Sequence, residues 1–438
     1  NDLEPESENR GRIKWRHRHD FPNSGHLNAE LGIVSDRNFL EQYFEREFDA
    51  DKDQENLLYW TQSLDPWGYG NWGYELLGQA PLNDFETETG WYPKADLWGL
   101  SEPLFGGRLT WSSHTLAGYG DIEPAEREDY LDERFFDPLP YAPDVEGLNF
   151  MTRHQLDLPL PVGPVNIVPF AMGEAAAWEE GIDGTDLGRL TASAGTRASV
   201  QFQRVFPGVY SPILGLNGLA HKIRFEAEYR VTDTTEPLGA VPQYTEIDDN
   251  AQERLRYRIP DVYHFGVLDP TVEPRFYGVR TGAGVPLGSP YYEIVEDQQV
   301  VRLAARQRLQ TKTGPPGRMR IRDWMTFDTG VSLFPNPDRD NFGEEAGLLF
   351  ADYGWLVSQR TRLIAGAQYD FFEGAPMLWH VGFTSQRSRR GSVYLGLRHI
   401  EAKGLSSDIL SGSYSYVMGP KWVSTLAAYV DVNDTANT

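Results

Sequence analysis

From Lys222 to Thr232 the chain alternates without a break. Ile223, Phe225, Ala227, Tyr229 and Val231 fall on one side, and Lys222, Arg224, Glu226, Glu228, Arg230 and Thr232 on the other. Side chains of a β-strand flip faces at every residue, so the pattern predicts a strand with one face in an apolar medium and the other in water. About ten residues is also what a tilted strand needs to cross a bilayer, roughly twice the length of an ordinary soluble strand. The alternation returns at Val301, Leu303, Ala305 and Leu309 against Arg302, Arg306, Arg308, Gln310 and Lys312. It returns again at Ile321, Met325, Phe327, Val331 and Leu333 against Arg320, Arg322, Thr326, Asp328 and Ser332. Helical spacing is confined to the acidic stretch around Phe39 to Phe48.

On this pattern the chain holds about sixteen to eighteen strands, in the range of large single-chain outer-membrane barrels. The expected spans of the first half are 11–19, 26–34, 55–63, 71–79, 108–119, 149–158, 166–178, 189–205 and 221–232. Those of the second are 300–312, 318–334, 347–357, 361–371, 378–385, 392–400, 409–418 and 421–430. Gln359-Arg360 and Gly419-Pro420 make short turns, whereas Ile122 to Glu146 and Thr234 to Gln299 are long, Pro-rich and charged. Short turns on one rim and long loops on the other are the usual asymmetry of such barrels. No Pro/Gly/Ser linker divides the sequence, so residues 1–438 read as one domain: an all-β, large antiparallel transmembrane β-barrel. The loop from Thr234 to Gln299 carries Tyr244, Tyr257, Tyr263, Phe265, Phe276, Tyr277, Tyr291 and Tyr292. It is too large and too aromatic for an idle connection, and it is expected to cap or enter the lumen.

Composition narrows the picture. With 64 acidic against 40 basic residues the net charge is −24, which disfavours nucleic acid. Aromatic residues make up 13% of the chain, and amphipathic rings are what a membrane interface collects. Cysteine is absent, which excludes disulfides, zinc–thiolate sites and thiol nucleophiles. No apolar run is long enough for a membrane-crossing helix. The opening stretch, with neither an initiator Met nor a signal peptide, reads as a trimmed piece of a longer precursor.

Catalytic motifs are missing. No P-loop, dinucleotide fingerprint, nucleophile elbow or zincin sequence occurs, so neither an enzymatic activity nor a cofactor is expected. Asp49, Asp51 and Asp53 imitate the start of a calcium loop, but Gln54 and Trp60 stand where Gly and a bidentate Glu are required, leaving an acidic solvated turn. Gly181 to Asp186 reads as a Gly-rich hairpin turn. His17 and His19 share a strand face without a third ligand. The one polar constellation lies in the first strand, where Arg12, Lys14, Arg16 and Arg18 share a face and Ile13 and Trp15 take the other. If the apolar pair meets lipid, the cations line the lumen. Guanidinium forks match phosphate, so this row could guide a phosphorylated glycolipid; equally, it could neutralise carboxylates of neighbouring strands.

Local wording adds to the pattern. Leu31-Gly32-Ile33-Val34-Ser35-Asp36-Arg37-Asn38-Phe39-Leu40, Trp91-Tyr92-Pro93-Lys94-Ala95-Asp96-Leu97 and Gly106-Gly107-Arg108-Leu109-Thr110 follow in order. Leu158-Pro159-Leu160, Val168-Pro169-Phe170 and the His221 to Arg230 strand come after them. These stretches resemble the LPS-assembly outer-membrane protein family, also called LptD or organic-solvent-tolerance proteins. The resemblance implies a barrel of the cell outer membrane that receives lipopolysaccharide, or a related glycolipid, from a periplasmic bridge protein. The lipid would leave through a lateral gate between first and last strands. A plug lipoprotein of the LptE kind and the barrel-assembly machinery would be the partners. The family's N-terminal periplasmic jelly-roll and its cysteines are absent from this sequence, and Asp431 to Thr438 lacks a terminal aromatic, so a barrel incomplete at the C-terminus is expected. Gly11 to His19, with like charges on one face and Pro22 after it, is a candidate gate edge. The alternative reading is a general outer-membrane diffusion channel or transporter.

Overall fold

The computed structural model describes residues 9–126, 139–247, 271, 273–372, 374–402 and 405–432. Among them run nineteen strands of one antiparallel sheet. In chain order the first eleven are β1 (Arg12–Asp20), β2 (Gly25–Val34), β3 (Leu57–Leu64), β4 (Trp72–Gln79), β5 (Glu88–Leu104), β6 (Leu109–Glu123), β7 (Val145–Asp157), β8 (Leu160–Val162), β9 (Val165–Trp178), β10 (Leu187–Ser211) and β11 (Leu216–Thr234). The rest are β12 (Gln298–Thr313), β13 (Arg320–Leu333), β14 (Ala346–Trp355), β15 (Thr361–Asp370), β16 (Ala375–Gln386), β17 (Gly391–Ala402), β18 (Leu405–Gly419) and β19 (Trp422–Asp431). Three α-helices interrupt them among the described residues: α1 (Phe39–Ala50), α2 (Pro274–Thr281) and α3 (Pro337–Asp340). No helix among the described residues is long and apolar enough to cross a membrane, which says nothing of strands.

Two strands escaped the sequence pattern. β5 carries Pro93 and Pro103, which cannot donate to a ladder and break the alternation. Register shifts between Trp91 and Lys94 and between Gly99 and Glu102 absorb the irregularity, so the strand continues through its prolines. β8 is three residues long and pairs with the start of β9.

The chain forms two compact units. The first comprises Asn1–Pro159, Pro169–Ala194 and Val231–Gln298. Its strands β1 to β7 pair each with the next, and β7 pairs with β9. Ile13 lies beside Ile33 and Trp15 beside Leu31, while Arg16 lies beside Glu30. The apolar side chains of this first face are open: Ile13 is 58% and Leu148 63% exposed. The opposite, polar face is the covered one. There Trp91, Leu116, Met151, Ala176 and Trp178 close over Leu139, Tyr141, Val241, Tyr244 and Tyr292 from the long connections, forming the main core. A sheet that buries its polar face and exposes its apolar one inverts the order of a water-soluble sandwich.

The second unit comprises Leu160–Val168, Gly195–Arg230 and Gln299–Thr438. Strands β12 to β19 again pair in sequence. Ala365, Val381, Leu397, Leu410 and Val430 form one continuous cross-strand row. On the face opposite to Phe225 and Leu303, Arg306 donates to Glu226 at 2.9 Å and Arg308 clasps Asp328 through two bonds of 2.7 and 2.8 Å. Aromatic rings lie over glycines of the adjacent strand, Phe350 on Gly330 and His380 on Gly366, and Trp72 covers Gly99 in the same way in the first unit.

Candidate functional site

Three of the four cations of β1 meet acids of α1, its cap and β2. Arg12 pairs with Glu47 at 2.8 Å, Lys14 contacts Glu47 and lies 2.9 Å from Asp51, and Arg16 meets Asp51 at 3.3 Å and Glu30 at 3.2 Å. Arg18, farther along, pairs with Asp20. The structure therefore brings Arg12, Lys14 and Arg16 into one network and leaves Arg18 at its exposed end. Asp51, read from sequence as part of a solvated acidic turn, is engaged by this network. Its hydrogen bond from Lys14 is the largest influence holding its carboxyl down at about 2, and the same lysine lowers Glu47. Residues 33–40 turn the chain so that α1 lies over the strand: Val34, Phe39 and Leu40 form a small apolar cluster with Phe48 and Phe85 packed against it. Arg10 ties the turn down through Asp36, at 2.7 and 2.8 Å.

A second polar constellation lies deeper in the same unit, on the polar faces of β5, β6, β7, β9 and β10. Asp96 and the His114 Nε2 are 2.7 Å apart, and Trp98 stacks on the imidazole with centroids 3.4 Å apart. Beyond it Glu174 accepts from Arg153 Nε at 2.7 Å and from Arg189 Nη2 at 3.0 Å. All three side chains are fully buried. Register explains the meeting, since His114 is directly opposite Arg153 and Arg153 directly opposite Glu174. Further guanidinium donors reach the long connection, while Arg189 Nε stays buried without an acceptor among the described residues. Arg153 Nη1 donates to the carbonyls of Gly284 and Pro286, and Arg189 to those of Tyr292 and Glu293, at 2.7 to 3.1 Å.

The described part of that connection is folded, in keeping with its aromatic load; Tyr257, Tyr263 and Phe265 lie outside the described residues. Arg275, in the first turn of α2, donates to the carbonyls of Leu238 and Val241 and sits 4.9 Å over the Tyr141 ring. Glu293 is fully buried and accepts from Gln243 Nε2 at 2.7 Å and from the Thr245 amide at 3.1 Å. Burial pushes its carboxyl up to about 7 against the hydrogen bonding of Thr245, through amide and side chain, and the positive fields of Lys94 and Arg189. Tyr244 and Tyr292 are likewise raised, chiefly by burial. The result is a wall that grips a loop through main-chain carbonyls, which fixes the loop's path without depending on its side chains.

The sequence pattern singled out none of Arg153, Glu174 and Arg189; their meeting depends on register and on a loop more than a hundred residues downstream. No group of three or more His, Asp or Glu side chains among the described residues could hold a metal ion. His17 and His19 continue an aromatic ladder from Trp15 to Phe21. At Gly181 to Asp186 a hairpin turn closes through Gly181 N to Thr185 O, with Asp183 accepting from the Thr185 amide and hydroxyl.

No family model matches the chain, and no curated relative matches it. Among solved structures it is similar to the ferric citrate transporter FecA in its unliganded form, at 10% identity and a TM-score of 0.25, over 86% of this chain and 58% of that one. It is also similar to the siderophore receptor PiuA from Acinetobacter baumannii, again at 10% identity and a TM-score of 0.25, over 97% of this chain and 62% of that one. The chain thus spans less than two thirds of the length of either.

Proposed function

We propose that this chain is the barrel portion of an outer-membrane translocon that passes lipopolysaccharide, or a related phosphorylated glycolipid, to the outer leaflet. The observation that carries the reading is the inversion of the sheet. Its apolar face is open while its polar face holds buried ion pairs and a packed loop, the arrangement expected when hydrocarbon bathes the outside. β1 joins the two needs of an amphipathic cargo on one strand, with Ile13 and Trp15 at 58% and 53% exposure on one face and the Arg12, Lys14 and Arg16 row on the other. Acyl chains and phosphate groups would then travel on opposite sides of the same backbone. Following the resemblance, a periplasmic bridge protein would supply the cargo and a plug lipoprotein would assist. No bond chemistry is required of the protein.

A photo-crosslinking residue at Arg16 should capture phosphorylated glycolipid in cells, and one at Trp15 should capture membrane lipid. A diffusion channel would instead conduct small solutes and give no glycolipid adduct at Arg16; that pair of results would replace export by the alternative reading.

A further inference from the structure

We propose that the C-terminal turn of α1 is an acidic strap that lies on the cation row of β1 and is exchanged there for the phosphate groups of an anionic headgroup. The inference rests on reading β1 as part of the glycolipid path, and supplies the regulation of that site.

The charge balance of the row points this way. Arg12, Lys14 and Arg16, at alternate positions roughly 6.6 Å apart along the strand, share two carboxylates from α1 and its cap. Glu47 serves Arg12 and Lys14, and Asp51 serves Lys14 and Arg16. The further acid at Arg16, Glu30, is itself shared with Lys52. Lys52 in turn pairs with Glu55, so four cations meet four carboxylates while the strap is in place, and lifting Glu47 and Asp51 would leave two positive charges on the strand side.

The helix is badly made for its own sake. Its last turn contains no basic residue, and Glu47 and the cap Asp51 place negative charge at the end where the backbone carbonyls already concentrate it. Asn38 provides no side-chain cap at the other end, and Phe44 breaks the helix with φ −139° and ψ 39°. Before the break α1 is fixed by the apolar cluster around Phe39 and Leu40; beyond it, Phe48 packs part-buried against that cluster and the acids hold to β1. Carboxylates so placed favour the helix through the strand they touch. The pairs are partly open to solvent, and pairs of this kind are weak individually. A headgroup bearing two phosphates offers more acceptor oxygens in the fork geometry that guanidinium prefers, so it competes well for the same cations.

The test uses the full chain in detergent, a fluorescent short-chain phosphatidic acid as probe, the matching phosphatidylcholine as control, and inorganic pyrophosphate as competitor. Glu47→Gln with Asp51→Asn should bind the phosphatidic acid about tenfold more tightly than the parent chain. Adding Lys14→Gln and Arg16→Gln should remove the gain. In the parent chain, saturating probe should speed hydrogen exchange over residues 45–52. Competition by pyrophosphate would identify phosphate itself as the ligand, and binding without such competition would identify the lipid-borne headgroup. An unchanged affinity in the acid-neutralised variant, a gain that survives the loss of both cations, an equal gain for phosphatidylcholine, or a strap that stays protected while probe binds would each overturn the proposal. Should the strap behave as expected while Arg16 forms no glycolipid adduct in cells, the export reading falls alone. Glycolipid adducts at Arg16 beside an inert strap would leave export standing and remove the strap.

Discussion

Replacing Glu174 by alanine probes the buried wall directly. The side chain is fully buried between Arg153 and Arg189, themselves fully buried, and it is the carboxylate that both of them contact. Removing one partner of a buried ion pair costs about 3–5 kcal/mol because a charge is left without compensation. Here two cations are left, but each keeps two main-chain carbonyls from the loop, Gly284 and Pro286 for Arg153 and Tyr292 and Glu293 for Arg189. The two effects oppose, and a loss of about 3–5 kcal/mol is expected, a large share of the roughly 5–15 kcal/mol that holds a typical fold. The assay is denaturant unfolding in detergent, with hydrogen exchange read over 284–293. Arg18→Ala, which removes an exposed pair with Asp20, serves as control and should leave the unfolding midpoint essentially unchanged. The triple change Arg153→Met, Glu174→Leu and Arg189→Met separates wall from loop. Apolar side chains can fill the space at little net cost to the sheet, yet the four loop carbonyls lose their donors, so exchange over 284–293 should rise while unfolding hardly moves. A Glu174→Ala loss below about 1 kcal/mol, or a triple variant with an unaltered loop, would refute this account of the wall.

Other expectations follow from the same geometry. Glu293 ionises near 4.5 in solvent and near about 7 in place, so the docked loop holds the proton more tightly than the undocked one. The stability this contributes is present in full below about pH 4.5 and is lost as the pH rises through about 7, some 3 kcal/mol in all. Protection of residues 238–247, corrected for the intrinsic pH dependence of amide exchange, should be higher at pH 5 than at pH 8, and Glu293→Gln should flatten that difference. At Gly284 a Cβ would stand 2.0 Å from the Ile294 carbonyl oxygen, so Gly284→Ala should loosen the loop by about 1–3 kcal/mol, visible as faster protease cleavage within 284–295. Phe225, 45% exposed on the apolar face, tests the surrounding solvent. Phe225→Arg should lose about 2–4 kcal/mol of folding stability in lipid vesicles; a variant that instead no longer needs detergent would mean that the face meets water.

Much of the sheet was legible because alternation is a local property. β11, β12 and β13 declare their faces residue by residue, and α1 announced itself by its spacing, whereas the short α2 and α3, each opened by a proline, did not. β5 was not, since two prolines interrupt the pattern and the bulges that rescue it exist only against the neighbouring strands. The cation row of β1 was visible, but its partners were not. Glu47 belongs to a helix that the sequence sets after the next strand, and only the turn through Asp36 folds it back. Arg153, Glu174 and Arg189 fall within strands that the sequence predicted, but nothing in the pattern singled them out, because their meeting is set by cross-strand register. The aromatic content of the 234–299 connection was the signal that something would pack there.

The rings seated over Gly99, Gly330 and Gly366 have a consequence for how such a sheet assembles. A Cβ at any of the three would come within about 2.5–2.6 Å of the ring, so the aromatic keeps its seat only against a glycine and must shift for any larger residue. Sliding a strand by two residues would preserve its faces and much of its ladder, which makes that error otherwise inexpensive. Keyed pairs penalise it sterically at once. They let neighbouring strands proofread their alignment during pairing, and they give the glycines and aromatic residues of this chain a shared task that neither could perform alone.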